Sequence, residues 1–275
     1  MHSVKAMHRI SFIIVALVAV MTAPVWAHEF WVQPSGGPVA KGEEIVADIR
    51  RGQHFRGDRL VFNPANFDRF FVVGPSGERT VEGRLGDKPA LRMPAVEEGL
   101  HVTVYVSDLK RTTYTSLEQF ASFARSEGFE DAVERHRARD LPPVFSEAYR
   151  RYAKALVPVG RAEVPDRTLG LPIEIVLEDR PFEGGTVRAR VFLHGRPMAN
   201  ALLRRFARPL ADDAAEATEE TARTDAWGRV TLTLPPAHRI LLNAVHLREP
   251  DTATAAERNV AWETLWASSV FETGL

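Results

Sequence analysis

The sequence predicts a mainly β protein: two immunoglobulin-like β-sandwich domains, the first carrying a short α-helical insert. Three observations carry this. Short β-rich segments bounded by Gly, Pro and Asp recur through most of the chain. Leu100, Val102, Val104 and Val106 alternate with His101, Thr103, Tyr105 and Ser107, the period of a half-buried strand. Helical spacing is confined to one region, about residues 116–156.

In chain order, residues 1–27 read as a signal peptide. Lys5, His8 and Arg9 precede an apolar run from Ile10 to Val20, and Val25 and Ala27 stand where a signal peptidase reads small residues. Pro24 breaks the end of the run, which favours cleavage over a retained anchor. The mature chain then starts at His28 and has 248 residues, 33 of them basic and 36 acidic. Residues 28–160 form the first predicted domain, with strands at Glu43–Arg50, Asp68–Gly74 and Leu100–Ser107. In its insert, Ser116 is the expected N-cap with Gln119 as capping-box partner, and Gly128 separates two short helices. Phe145–Leu156 is predicted to be a further helix, because Ala148, Tyr149, Tyr152, Ala153 and Leu156 fall on one helical face. Pro158–Pro172, rich in Pro and Gly, reads as a linker. Residues 171–275 form the second domain, with six candidate strands from "IEIVLED" to "WETLWASSVFE" and turns at "GRPM" and "DAWG". The acidic Ala211–Thr221 reads as a solvated loop.

Composition removes several chemistries. There is no cysteine, so disulfides, thiolate metal sites and cysteine nucleophiles are absent. The net charge of −1 lacks the basic excess of a nucleic-acid binder. After the leader no apolar run is long enough to span a bilayer, so a soluble periplasmic protein with no stable membrane insertion is expected. G-x-S-x-G, H-E-x-x-H and P-loop patterns are missing, and the chain is not read as an enzyme. Trp262 and Trp266 are expected to pack in and around the core.

The remaining chemistry is nitrogen and oxygen ligation of a metal. Cleavage after Ala27 would give His28 a free α-amine beside its imidazole, and the amine and Nδ1 can chelate one ion. Both groups lose their protons at little cost near neutral pH. His54 follows a strand in the glycine-flanked "RRGQHFRGDR", a loop able to present a side chain. His246 ends a strand on the face of Ile240, Leu242 and Ala244, at the rim of a sandwich core. His101, His136, His194 and His238 are expected to be surface or structural groups, with His136 solvated on a charged helix end.

"AHEFWVQPS", "YAKALVPVG", "LGLPIEIVL", "TDAWGRVTLTL" and "NAVHL…WETLWASSVFE" occur in that order over essentially the whole mature chain. Together they resemble a bacterial domain-of-unknown-function family whose members are labelled the periplasmic component of cobalt or nickel ABC-type uptake systems, including nickel-uptake accessory proteins of the NikK kind. The resemblance implies an exported β-rich protein with a metal-related role. It implies that His28 and His246 match family histidines, and that His54 falls at the family's loop after the early strand. The expectation is therefore periplasmic binding of a divalent transition metal through His28, His54 and His246, and its delivery to a membrane importer. Nickel or cobalt is favoured, with copper or zinc as further candidates. The alternatives are a copper monooxygenase with an N-terminal histidine brace and a metal-free β-sandwich interaction module.

Overall fold

The computed structural model describes residues 29–274. His28 and the leader lie outside the described residues. The chain is mainly β, as its alternating segments predict. The first half contains β1 (Glu29–Pro34), β2 (Glu44–Gln53), β3 (Arg56–Leu60), β4 (Phe67–Gly74), β5 (Gly77–Thr80), β6 (Leu91–Pro94), β7 (Gly99–Ser107) and β8 (Lys110–Tyr114). Then come α1 (Leu117–Ser126), α2 (Ala132–Ala138) and β9 (Phe145–Val159). The second half contains β10 (Ile173–Leu177), β11 (Gly185–Leu193), β12 (Arg196–Pro197), β13 (Leu202–Pro209), β14 (Thr218–Arg223), β15 (Arg229–Leu234) and β16 (His238–Arg248). It closes with α3 (Thr252–Arg258) and β17 (Trp262–Glu272).

These strands make three layers. The middle layer is a nine-stranded sheet ordered β14-β13-β16-β17-β9-β7-β4-β5, with β8 also paired to β9. One face carries the sheet of β1, β2, β3 and β6, over a core that includes Trp31, Ile45, Phe55, Phe70, Ala155 and Phe206. The other face carries the sheet of β10, β11, β12 and β15, over Val102, Val104, Ile175, Val191, Leu242 and Phe271. Alternation along each central strand sends successive side chains to opposite cores.

The two halves meet in the middle sheet. β17 pairs parallel with β9 from Trp262↔Glu147 to Val270↔Ala155. Every residue of β17 is buried, as expected of a strand covered on both faces. The Pro/Gly-rich 158–172 stretch is tied down as well as connecting. The Lys154 Nζ, from β9, donates to both Asp166 carboxylate oxygens at 2.9 and 2.8 Å and to the Ile175 carbonyl at 3.1 Å. Glu174 accepts from the Leu169 and Gly170 amides at 2.9 and 3.1 Å.

The insert contains the two expected helices. The Gln119 amide donates to Ser116 Oγ at 3.4 Å, and Gly128 breaks the chain at φ +78°. The third helix expected at Phe145–Leu156 is instead the strand β9. Its alanines and tyrosines suit either period, and pairing on both edges, with β7 and β8 on one side and β17 on the other, outweighs helical propensity. The acidic 211–221 stretch is a loop only at its start, because Thr218–Arg223 forms the edge strand β14. His136 corrects the expectation of a solvated ring. It is 1% exposed, accepts from Trp262 Nε1 at 3.1 Å on Nδ1, and sets Nε2 3.0 Å from the Pro142 carbonyl. Trp262 and Trp266 are buried, as expected.

Candidate functional site

β1 enters the described structure at Glu29, opposite Gly52 of β2. At this same end of β2 the chain reverses through His54 and Phe55, with Gln53 paired to Arg56. His54 and Phe55 have φ of 50° and 58°, so both central residues of this two-residue turn are left-handed. Asn and Gly are the usual occupants of such a turn, and His-Phe here is strained. Packing holds it. Phe55 is fully buried, meets Trp31 edge-on at 5.3 Å, and its carbonyl accepts from the Arg208 guanidinium. Gly52 and Gly57 let the two strands touch, since a Cβ on Gly52 would stand 1.7 Å from the Arg56 carbonyl oxygen.

With Phe55 anchored, His54 points out beside a cluster of charged groups. Its Nδ1 lies 3.3 Å from Glu219 of β14. Glu219 also pairs with Arg204 of β13, and Arg204 reaches Glu127 at the C-terminal cap of α1 at 3.4 Å. Glu29 accepts from the Phe55 amide at 3.3 Å. Burial raises the Glu29 carboxyl from its ordinary 4.5 to about 7, with the nearby Glu127 and Glu219 adding to the rise and Arg204 opposing it. Burial likewise raises Glu127. Five elements thus bring three carboxylates, one imidazole and one guanidinium to the point where the chain emerges after residue 28.

His246 is elsewhere. It follows Ile240, Leu242 and Ala244 on β16, whose side chains enter the core under β10 and β11. His54 meets Phe206, which enters the core under β1 and β2. The two histidines therefore lie on opposite faces of the middle sheet, and one ion cannot reach both at the roughly 2 Å that metal–imidazole bonds require. His246 has basic neighbours. Burial, helped by Arg248, His194 and Arg135, pushes its ring down to about 4. Among the described residues no three His, Asp or Glu side chains converge with metal-holding geometry.

Sequence reasoning missed Glu127, Arg204 and Glu219. They are single charged residues on separate elements, with no spacing to link them. Glu29 offered one signal, its place next to His28.

The family described as domain of unknown function DUF4198 matches residues 25–248. The chain belongs to the DUF4198 family. The DUF4198 match takes in β1, the His54 turn and β16 up to Arg248. No functionally curated protein matches the chain. One similar solved structure is Escherichia coli alpha-2-macroglobulin activated by porcine elastase, at 12% identity and a TM-score of 0.22. The alignment covers 90% of this chain, which spans about a fifth of that protein (20%). No helix among the described residues is long and apolar enough to cross a membrane.

Proposed function

We propose that this protein is exported to the periplasm, binds a divalent transition metal ion, nickel or cobalt in preference, and passes it to a membrane uptake system. His28 would supply its α-amine and imidazole after cleavage of the leader, and His54 a further nitrogen. Glu29 and Glu219 would balance the ion's charge from nearby rather than join His54 as ligands. The supporting observation is the position of Glu29. It follows His28 directly in the sequence, and its carboxylate accepts a hydrogen bond from the turn that carries His54. The strained turn and the carboxylate cluster around it suit a cation. The site so assigned excludes His246, which faces the opposite core.

Capture and release need no catalytic step. Each ligand nitrogen must lose its proton to bind, so affinity falls as pH drops through the imidazole and amine pKa values. Isothermal titration of protein beginning at His28 with nickel and cobalt tests the reading. His28→Ala and an added N-terminal alanine, which moves the amine away from the ring, should each weaken binding by at least about tenfold, or about 1.4 kcal/mol. His54→Ala should weaken it further and His246→Ala should leave it unchanged. Undiminished affinity in the His28 and extended forms would remove the proposal. Copper-dependent oxidation of a polysaccharide by the same protein would replace it with the monooxygenase reading.

A further inference from the structure

A cavity of about 420 Å3 lies where β8 and β9 meet the segment between α2 and β9 and the loop between α3 and β17. Arg111 and Thr113 stand two residues apart on β8 and so share a face. Thr113 is paired with Ser146 of β9, and their hydroxyls lie 2.8 Å apart. Leu141, Val144 and Val260 supply an apolar wall. Two bonds fix the loop side of that wall. The Ala261 amide donates to the Ser146 carbonyl at 2.8 Å, and the Arg139 guanidinium donates to the Ala261 carbonyl at 3.0 Å. Val144 is 55% exposed, so a ligand seated here would take apolar surface out of water.

The polar groups of this cavity have bonding capacity left. Two hydroxyls hold two hydrogens and use one between them, and the Ser146 and Thr113 side chains make no other hydrogen bond among the described residues. The spare hydrogen is available to an acceptor in the cavity. The Arg111 side chain makes one long hydrogen bond, to the Asn259 carbonyl at 3.4 Å. None of the lining residues is acidic. The acids on neighbouring strands are engaged elsewhere. Glu263, across Ala148 from Arg111, pairs with Arg248 at 2.8 Å. Glu147 alternates with Ser146 to the opposite face of β9 and accepts from Tyr114 and Thr264. One guanidinium and one hydroxyl donor match the two oxygens of a singly charged carboxylate through charge-assisted bonds. A phosphate monoester would bring nearly two negative charges to a single guanidinium. The cavity has the size and the apolar lining of a small-ligand site. A metal cation would be repelled by Arg111, so this site is separate from the proposed metal site.

We propose that the cavity binds a small aliphatic monocarboxylate, its carboxylate held by Arg111 and the Ser146–Thr113 hydroxyl pair and its chain laid against Leu141, Val144 and Val260.

The test is titration of metal-free protein in EDTA with hexanoate, hexanol, acetate and hexyl phosphate, read by calorimetry and by amide chemical shifts. Hexanoate should bind. Hexanol and acetate, each lacking half of the ligand, should bind at least roughly tenfold more weakly, and hexyl phosphate should bind more weakly than hexanoate. Arg111 is exposed, so Arg111→Ala should fold normally and lose roughly tenfold or more in hexanoate affinity, while Arg111→Lys should lose less. Val144→Asp, at another exposed position, should keep the melting temperature and weaken binding by placing a like charge beside the ligand. Shifts should centre on Thr113, Ser146 and Val260. Absence of hexanoate binding at roughly 10 mM, a constant weaker than any useful affinity, would overturn the proposal. So would equal binding by Arg111→Ala, hexanol, acetate or hexyl phosphate binding as tightly as hexanoate, or shifts centred elsewhere. Because no metal is present, any of these failures leaves the metal reading standing.

Discussion

Three titratable side chains carry much of the pH response at the residue scale. His136 is neutral because both ring nitrogens are committed. Nδ1 accepts from Trp262, so Nε2 carries the proton and donates to Pro142. Burial lowers its pKa and that of His246. A histidine held neutral in the fold contributes stability above its unfolded value near 6.5, and that contribution is lost as pH falls. For His246 the window runs from 6.5 to about 4. Glu147 behaves in the opposite sense. It is buried, receives hydrogen bonds from Thr264 and Tyr114, and burial raises its carboxyl from 4.5 to about 7. Its contribution is complete below 4.5 and disappears as pH rises through 7. Denaturant midpoints of His246→Gln should therefore fall less than those of the parent between pH 6.5 and 4. Those of Glu147→Gln should fall less between pH 4.5 and 8. Unchanged slopes in both variants would contradict these assignments.

Two elements depend on close contacts at the scale of strands and turns. The β2–β3 hairpin needs Gly52, where an added Cβ would overlap the Arg56 carbonyl at 1.7 Å. Gly52→Ala should cost about 1–3 kcal/mol and, under the metal-binding proposal, weaken nickel binding, since it displaces the turn that carries His54. Chemical unfolding together with the nickel titration measures both effects. The 158–172 segment depends on the Lys154–Asp166 pair, whose side chains are 1% and 0% exposed. Removing either charge leaves the other buried and unanswered, so Lys154→Met or Asp166→Leu alone should destabilise by about 3–5 kcal/mol. The double replacement should recover most of the loss, because two apolar groups leave no orphan charge. A double-mutant cycle by denaturant unfolding decides between this and independent contributions.

At the scale of the whole molecule, the middle sheet joins the two halves. β9 from the first half has β17 from the second as a neighbour over nine paired positions. Residues 28–160 expressed alone would expose that edge of β9 and one complete sheet face. The fragment should be unfolded or aggregated, and co-expression with 171–275 should restore solubility. A folded, monomeric 28–160 fragment with dispersed amide signals would show that the shared sheet is dispensable.

Alternation of Leu100 to Ser107, the capping pair at Ser116 and Gln119, and the Gly and Pro turns are local features, and the sequence by itself determined them. It also determined that no thiol chemistry is present, and it pointed to His28, His54 and His246 as candidate ligands. Tertiary structure decided the rest. Phe145–Val159 became a strand because β7, β8 and β17 pair along its two edges, and His136 was buried because Trp262 comes to it from a distant segment. Only the three-layer arrangement sets Glu219 and Arg204 beside His54 and places His246 behind the middle sheet. A residue's period is written in its near neighbours, whereas the face it shares with residues a hundred positions away depends on strand order, which no local pattern encodes.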